Sequence, residues 1–203
     1  VRDPQGTATE TRRVRSMARA RVRPALPDDT MLLATLQRTW WQDAYAHLLP
    51  PSVLAVELDQ LADAWAAQLV GARALIAEES THPVGFALVD PHIRDDGLGR
   101  IEVLGVVPRW ARRGHGGRLL AECARVLHDA GAHAGVWWAV ESDESIAAFL
   151  AGVGWQPSGR RRVLDTGEGH LTEIQYSGTL HLHLEDLPVE DLHPGDPHLD
   201  DTE

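Results

Sequence analysis

The chain has 203 residues, 43% of them hydrophobic, enough for one domain of ordinary size with a real core. Its single cysteine excludes an intrachain disulfide and any cysteine-rich metal centre, and its net charge of −11 argues against general nucleic-acid binding, which rests on neutralising phosphates. No stretch reaches the ~20 apolar residues of a membrane span, and the N-terminus lacks an apolar signal core, so a cytoplasmic protein with neither membrane nor nucleic-acid partners is expected.

Charge is unevenly placed. Residues 1–23 carry seven arginines against Asp3 and Glu10, whereas residues 185–203 carry eight acids and no base. Residues 1–19 have no hydrophobic periodicity, and both they and the acidic tail 185–203 are expected to be flexible. A strand is expected over Arg21–Ala25. Pro27-Asp28-Asp29-Thr30 then offers capping side chains for an amphipathic helix from about Met31 to Ala46. His47 to Pro51 ends it, and Ser52 is placed to cap a second helix over Val53–Val70. Two adjacent tryptophans, Trp40 and Trp41, cannot share one helix face, so one of them should line a groove or stay partly exposed. Ala74–Glu79 and Pro83–Val89 read as strands of a hairpin turning at Ser80-Thr81-His82.

A polar loop leads into Arg100–Val107, a β-branched, apolar run suited to a buried strand. Leu119, Leu120, Cys123, Val126 and Leu127 then recur at helical spacing up to about Gly131. Between strand and helix, Pro108 stops the ladder, and Gly114, Gly116 and Gly117 stand among Arg109, Arg112, Arg113 and Arg118. Glycines there permit positive φ and a close backbone approach, so several N–H groups can converge at a helix N-terminus on a multiply charged anion such as a pyrophosphate. The P-loop pattern is excluded because the chain contains no lysine, and G-x-G-x-x-G is not met. Gly135–Val140 reads as a strand buried on both faces. Ser142 and Asp143 can cap a short helix through Gly152, and Gly154-Trp155 leads back to strands near Arg160–Leu164 and Leu171–Tyr176. Cys123 lies on the apolar helix face, where a buried inert thiol is expected. His181, His183, His193 and His198 fix no metal geometry, and no metal is expected. His181 and His183 alternate with leucines, which suits an added strand or a contact between two copies in a homodimer.

The loop resembles the acetyl-CoA loop of the GNAT superfamily of N-acyltransferases, V-x-P-x-x-(Q/R)-x-x-G-x-(G/A)-x-x-L-L, matched by Val106, Pro108, Gly114, Gly116, Leu119 and Leu120, with Ala111 at the Gln/Arg position. Asp143 to Trp155 is similar to a second family segment, N-x-x-A-x-x-(F/L)-Y-x-x-x-G-(F/W), agreeing at Phe149, Gly154 and Trp155, with Asp143 in place of Asn and Leu150 in place of Tyr. The resemblance implies an α/β (α+β) GNAT fold over residues 20–184, a mixed sheet of six to seven strands flanked by about four helices, and acetyl-CoA as co-substrate. It implies that the central strand and the strand after the loop helix splay apart, with Leu104, Gly105 and Val106 offering backbone groups to the acyl-pantetheine. Arg112, Arg113, Gly114, His115, Gly116 and Gly117 would cradle the pyrophosphate, with Asp143 and Phe149 bordering the pantetheine. The helices carrying Trp40, Trp41 and Tyr45 would wall the acceptor pocket. The usual base position falls on Arg100, so Glu102, two residues on and on the same strand face, is the first candidate base and Glu141 the second. The expected acceptor is a primary amine of a small molecule or a protein N-terminus, and the acidic balance mildly favours a cationic one. A catalytically weak or inactive acyl-CoA-binding protein is the alternative, suggested by Arg100, Ala111 and Leu150.

Overall fold

A computed structural model describes residues 20–93 and 96–182. The expected arm and acidic tail, with His183, His193 and His198, lie outside the described residues. In chain order the elements are β1 (Ala20–Pro24), α1 (Thr30–Ala44), α2 (Pro51–Leu54), α3 (Leu58–Gln68), β2 (Arg73–Glu79), β3 (His82–Asp90), β4 (Leu98–Val106), α4 (His115–Asp129), β5 (Ala134–Val140), α5 (Glu144–Gly152), β6 (Gln156–Asp165) and β7 (His170–Thr179). The strands form one mixed sheet in the order β1-β2-β3-β4-β5-β7-β6. Every neighbouring pair is antiparallel except β4 with β5. A parallel pair cannot be joined by a tight turn, and α4 is the crossover that joins this one.

Two cores sit on opposite faces of the sheet. On one, α4 buries Leu119, Leu120, Cys123 and Leu127 against Leu75, Ala87, Ile101 and Leu104, and α5 adds Leu150 beside Trp155. On the other, Leu33, Leu36, Leu61 and Trp65 of α1 and α3 pack on Ile76, Phe86 and Leu88. Each of these fully buried leucines contributes about 1.5–3 kcal/mol over an exposed one. Cys123 is wholly inside, where burial pushes its thiol pKa far above the ordinary value. Among the described residues no helix is long and apolar enough to cross a membrane, and no three His, Cys, Asp or Glu side chains gather as metal ligands.

The single helix expected over Val53–Val70 is in fact two. Pro51 starts α2 at its first turn, and Glu57 takes an extended conformation before α3. Val56 and Leu58 thereby turn into the core with α1, a gain that helix periodicity alone cannot register. The strand expected from Arg160 starts at Gln156, because β6 is an edge strand that tolerates Pro157 and bulges at Gly159. His181 and Leu182 lie beyond β7 and belong to no strand.

Two irregularities in β4 break the regular ladder near its C-terminal end. Its pairing with β5 covers only Leu98–Ile101 opposite Ala134–Trp137, so from Glu102 onward the two strands part. Opposite β3, Leu88 faces Val103 and Val89 faces Ile101, which leaves Glu102 unopposed in a bulge. The bulge reverses the inside-outside alternation, so that Ile101 and Leu104 both face α4 while Val103 packs beneath α1 and α3.

Candidate active site

The turn between β4 and α4 forms a cup of free backbone donors. Pro108 starts a single 3-10 turn through Trp110, Ala111 is extended, and Arg112 and Gly114 both take positive φ, 62° and 79°. Gly114 is the N-cap of α4, and the first helical bond back to the loop runs from Arg118 N–H to Gly114 C=O at 3.1 Å. Among the described residues, the N–H groups of Arg113, Gly114, His115, Gly116 and Gly117 donate to no other group. Five unspent amides at the positive end of a fifteen-residue helix suit a polyanion.

Side chains fix this loop from behind. His115 is 1% exposed, with Nε2 2.9 Å from a Glu79 carboxylate oxygen, and Arg113 reaches the other oxygen at 3.4 Å while lying over the Trp110 ring. The Arg118 guanidinium donates to the Arg113 carbonyl at 3.1 Å. His115 and Arg113 therefore enter the cup through their amides, with their side chains turned to β2. The Phe149 ring lies beside the loop, where a Cβ on Gly116 would meet it at 3.8 Å.

From the cup, the β4–β5 gap runs inward. Val107 N–H donates to Val84 C=O at 2.9 Å on the β3 side. Strand alternation then turns the backbone groups of Gly105 toward β3 and those of Leu104 and Val106 into the gap. Gly105 serves by having no side chain, because a Cβ there would strike Trp40 at 2.8 Å. Trp40 lies on the strand at that point, edge-on to Phe86 and to Tyr45 at ring distances of 5.6 and 4.7 Å. Both Trp40 and Trp41 are half-buried.

Asp143 stands past the end of β5 and caps α5, accepting the Ile146 N–H at 3.0 Å. Its other oxygen accepts the Tyr45 hydroxyl at 2.5 Å. This bond ties the end of α1 to the start of α5, one on each side of the gap. Burial, and then the Asp143 carboxylate, push the Tyr45 pKa far above that of a free phenol, so it keeps its proton. Tyr45 reads in sequence only as a pocket aromatic, and nothing local signals a partner 98 residues away.

Both candidate bases are ion-paired. Glu102 lies 3.2 Å from Arg100 with 36% of its side chain exposed, and Glu141 lies 2.6 Å from Arg161 with 35% exposed. Neither carboxylate is deeply buried. Leu150, in place of the family's tyrosine, is wholly buried and carries no proton to give.

A cavity of about 250 Å³ adjoins this region on the sheet face away from α4, lined by Asp96, Leu98, Arg100, Val136, Trp138, Arg160 and Gln175. Arg160 escapes a reading of the sequence as a site residue. The one available signal is Gly159 inside a strand-like run, which marks a bulge.

Known proteins resemble this chain in family and in fold. A sequence model of the acetyltransferase (GNAT) family matches residues 34–155, from α1 to the start of the final hairpin. No curated protein matches the chain by sequence. Among solved structures, the PaiA N-acetyltransferase of Thermoplasma acidophilum in complex with coenzyme A is similar at 14% identity and a TM-score of 0.64, covering 79% of this chain and 99% of its own. YncA of Salmonella typhimurium with its cofactor acetyl-CoA is similar at 19% identity and a TM-score of 0.60, covering 81% and 95%. The ribosomal-protein-alanine N-acetyltransferase of Brucella melitensis is similar at 17% identity and a TM-score of 0.63, covering 78% and 99%. At these identities the structures speak for the fold, and the family match, spanning well over half of the sequence, settles the lineage: this chain belongs to the GNAT acetyltransferase family.

Proposed function

We propose that this chain is an N-acetyltransferase that moves an acetyl group from acetyl-CoA to a primary amine of a small molecule or a protein N-terminus. The observation that carries the proposal is the row of unspent amides from Arg113 to Gly117, opening onto a gap lined by the backbone of Leu104 and Val106. A diphosphate would fit the first, and an extended, amide-bearing pantetheine arm would fit the second as a surrogate strand. The thioester supplies an activated carbonyl carbon, which the neutral amine attacks as the C–S bond breaks. The Val106 N–H, already held in a strand, is a fixed donor for the developing oxyanion. The amine proton passes to water or to Glu102, with Glu141 the second candidate, and the thiolate leaves to become the CoA thiol. No tyrosine hydroxyl stands at position 150 to assist that departure.

Binding is tested by isothermal titration with acetyl-CoA and with CoA. Saturable binding below millimolar is expected, and none at millimolar ligand overturns the reading. Thiol release with a panel of primary amines then separates an enzyme from a binder. The paired state of Glu102 and the burial of Leu150 favour the second reading, an acyl-CoA-binding protein with little turnover, and acetyl-CoA binding without thiol release from any amine would select it.

A further inference from the structure

The cavity beside the β4–β5 gap is lined by two arginines, Arg100 and Arg160, and the Gln175 amide, against one carboxylate, Asp96. Arg100 and Leu98 come from β4, Val136 and Trp138 from β5, Gln175 from β7 and Arg160 from β6. Leu98 and Arg100 share a strand face, as do Val136 and Trp138, at the end where β4 and β5 are still paired. The cavity therefore closes on the side where the gap has not yet opened, and Glu102 is the next residue along that face.

Its polar groups have unequal commitments. The Asp96 carboxylate accepts the Leu98 N–H at 3.1 Å. Gln175 is 7% exposed and spends its carbonyl oxygen on the Ser158 hydroxyl at 2.9 Å, which leaves its NH₂ as the group to offer. Arg160 begins a run of three arginines. Arg161 pairs with Glu141 at 2.6 Å, and Arg162 pairs with Glu173 at 2.5 Å while covering the Trp138 ring at 4.6 Å. Among the described residues Arg160 pairs with no acid.

The backbone is bent to place it. Between Pro157 opposite Tyr176 and Arg161 opposite Ile174, β6 fits three residues against the single Gln175, with Gly159 at φ 82°. A bulge of that size re-aims the side chains it carries, and Arg160, while still exposed to solvent, joins Arg100 in lining the cavity. Arg100 itself is shared with Glu102 at 3.2 Å. The volume is below the roughly 300–1,000 Å³ of a drug-sized ligand site, so it suits one small anionic group on a short apolar stem.

We propose that the acceptor of this enzyme is a carboxylate-bearing amine, of the amino-acid class, whose carboxylate binds between Arg160, Arg100 and the Gln175 NH₂ while its apolar part lies on Trp138 and Val136. The proposal rests on the acetyltransferase reading above and replaces the cationic acceptor suggested by overall charge, because the local charge at the cavity is opposite to that of the body. Arginine gives a carboxylate paired, charge-assisted donors in fixed geometry. An amine held this way points toward Glu102 and the gap.

The test compares thiol release from acetyl-CoA with each of the twenty protein amino acids and with its carboxamide. In parallel, N-acetyl-leucine and N-acetyl-leucinamide are titrated into the CoA-bound protein by tryptophan fluorescence. At least one acid should be used or bound tenfold or more better than its amide. Arg160→Gln should abolish that preference and Arg160→Lys should restore part of it, with acetyl-CoA affinity unchanged in both. Equal use of acids and amides, no binding of either, or a preference that survives Arg160→Gln overturns the proposal. Loss of acetyl-CoA binding by the wild-type protein is the separate failure of the acetyltransferase reading.

Discussion

Gly114 and Gly116 share a motif but meet different demands, and their substitutions separate the shape of the cup from its volume. Gly114 sits at φ 79°, where an L residue is strained, and a Cβ there would also meet the Arg118 guanidinium at 2.7 Å. Arg118 is the flexible partner and can move, so the main cost is the backbone, about 1–2 kcal/mol. Relief of that strain would rotate the peptide groups that aim the amides of Gly114 and His115. Gly116 has ordinary φ, and its nearest neighbours to a new Cβ, Phe149 and Val106, are 3.8 and 3.9 Å away. Gly114→Val should therefore weaken acetyl-CoA binding more than tenfold while lowering Tm by only a few degrees, whereas Gly116→Ala should bind within about threefold of wild type. Titration calorimetry and thermal melts on the same samples read both effects. An unimpaired Gly114→Val would mean that these amides do not hold the anion.

The antiparallel edge pair of β1 and β2, strands far apart in the chain, is pinned by charge. Glu78, 6% exposed, takes hydrogen bonds from Arg21 at 2.6 Å and Arg23 at 2.8 Å, and Arg23 also binds Asp29 at 2.7 Å. Burial works to raise the Glu78 pKa, but the bonds from Arg23 and Arg21 outweigh it and the net shift is downward. A carboxylate whose pKa is lower in the folded state adds stability above its unfolded pKa of ~4.3, and that stability fades as pH falls through the folded value. Glu78→Gln should thus cost about 1–3 kcal/mol at pH 7, and the gap from wild type should narrow in urea melts as pH falls below the unfolded value. A constant difference across that range would show that packing, and not charge, holds the edge. The strands themselves could be read from apolar runs and Pro108, and the loop from its glycines, because those signals are local. What could not be read depends on partners far along the chain: the bulge at Glu102, set by its register with β3, the break between α2 and α3, set by Val56 finding the core, and the place of Arg160 at the cavity rim, set by the register of β6 with β7.

At the scale of the whole molecule, the sheet is one body on the β1–β4 side and another on the β5–β7 side, joined along only four residue pairs. Trp155 cements the second body, lying against β5 and β7 where only glycine fits: a Cβ on Gly135 or Gly178 would come within 2.6 or 2.2 Å of its ring. Beyond Ile101 the two bodies are held by the helices beneath them and by the Tyr45–Asp143 bond, so the gap is kept open by packing on both walls. An opening of this kind leaves backbone donors unspent on a strict alternation. Val107 bonds to β3 and Glu141 to β7, so Leu104, Val106 and Val140 face the gap while Gly105, Val107 and Glu141 do not. Amide hydrogen exchange should track that alternation in the free protein, fast at Leu104, Val106 and Val140 and slow at their neighbours. Acetyl-CoA at one hundred times its Kd should slow the gap-facing amides by up to about 100-fold, the limit set by mass action, and so flatten the alternation. If Leu104 and Val106 exchange as slowly as Gly105 before ligand is added, the strands are closed on each other in solution, and the gap is not the place where a pantetheine arm would lie.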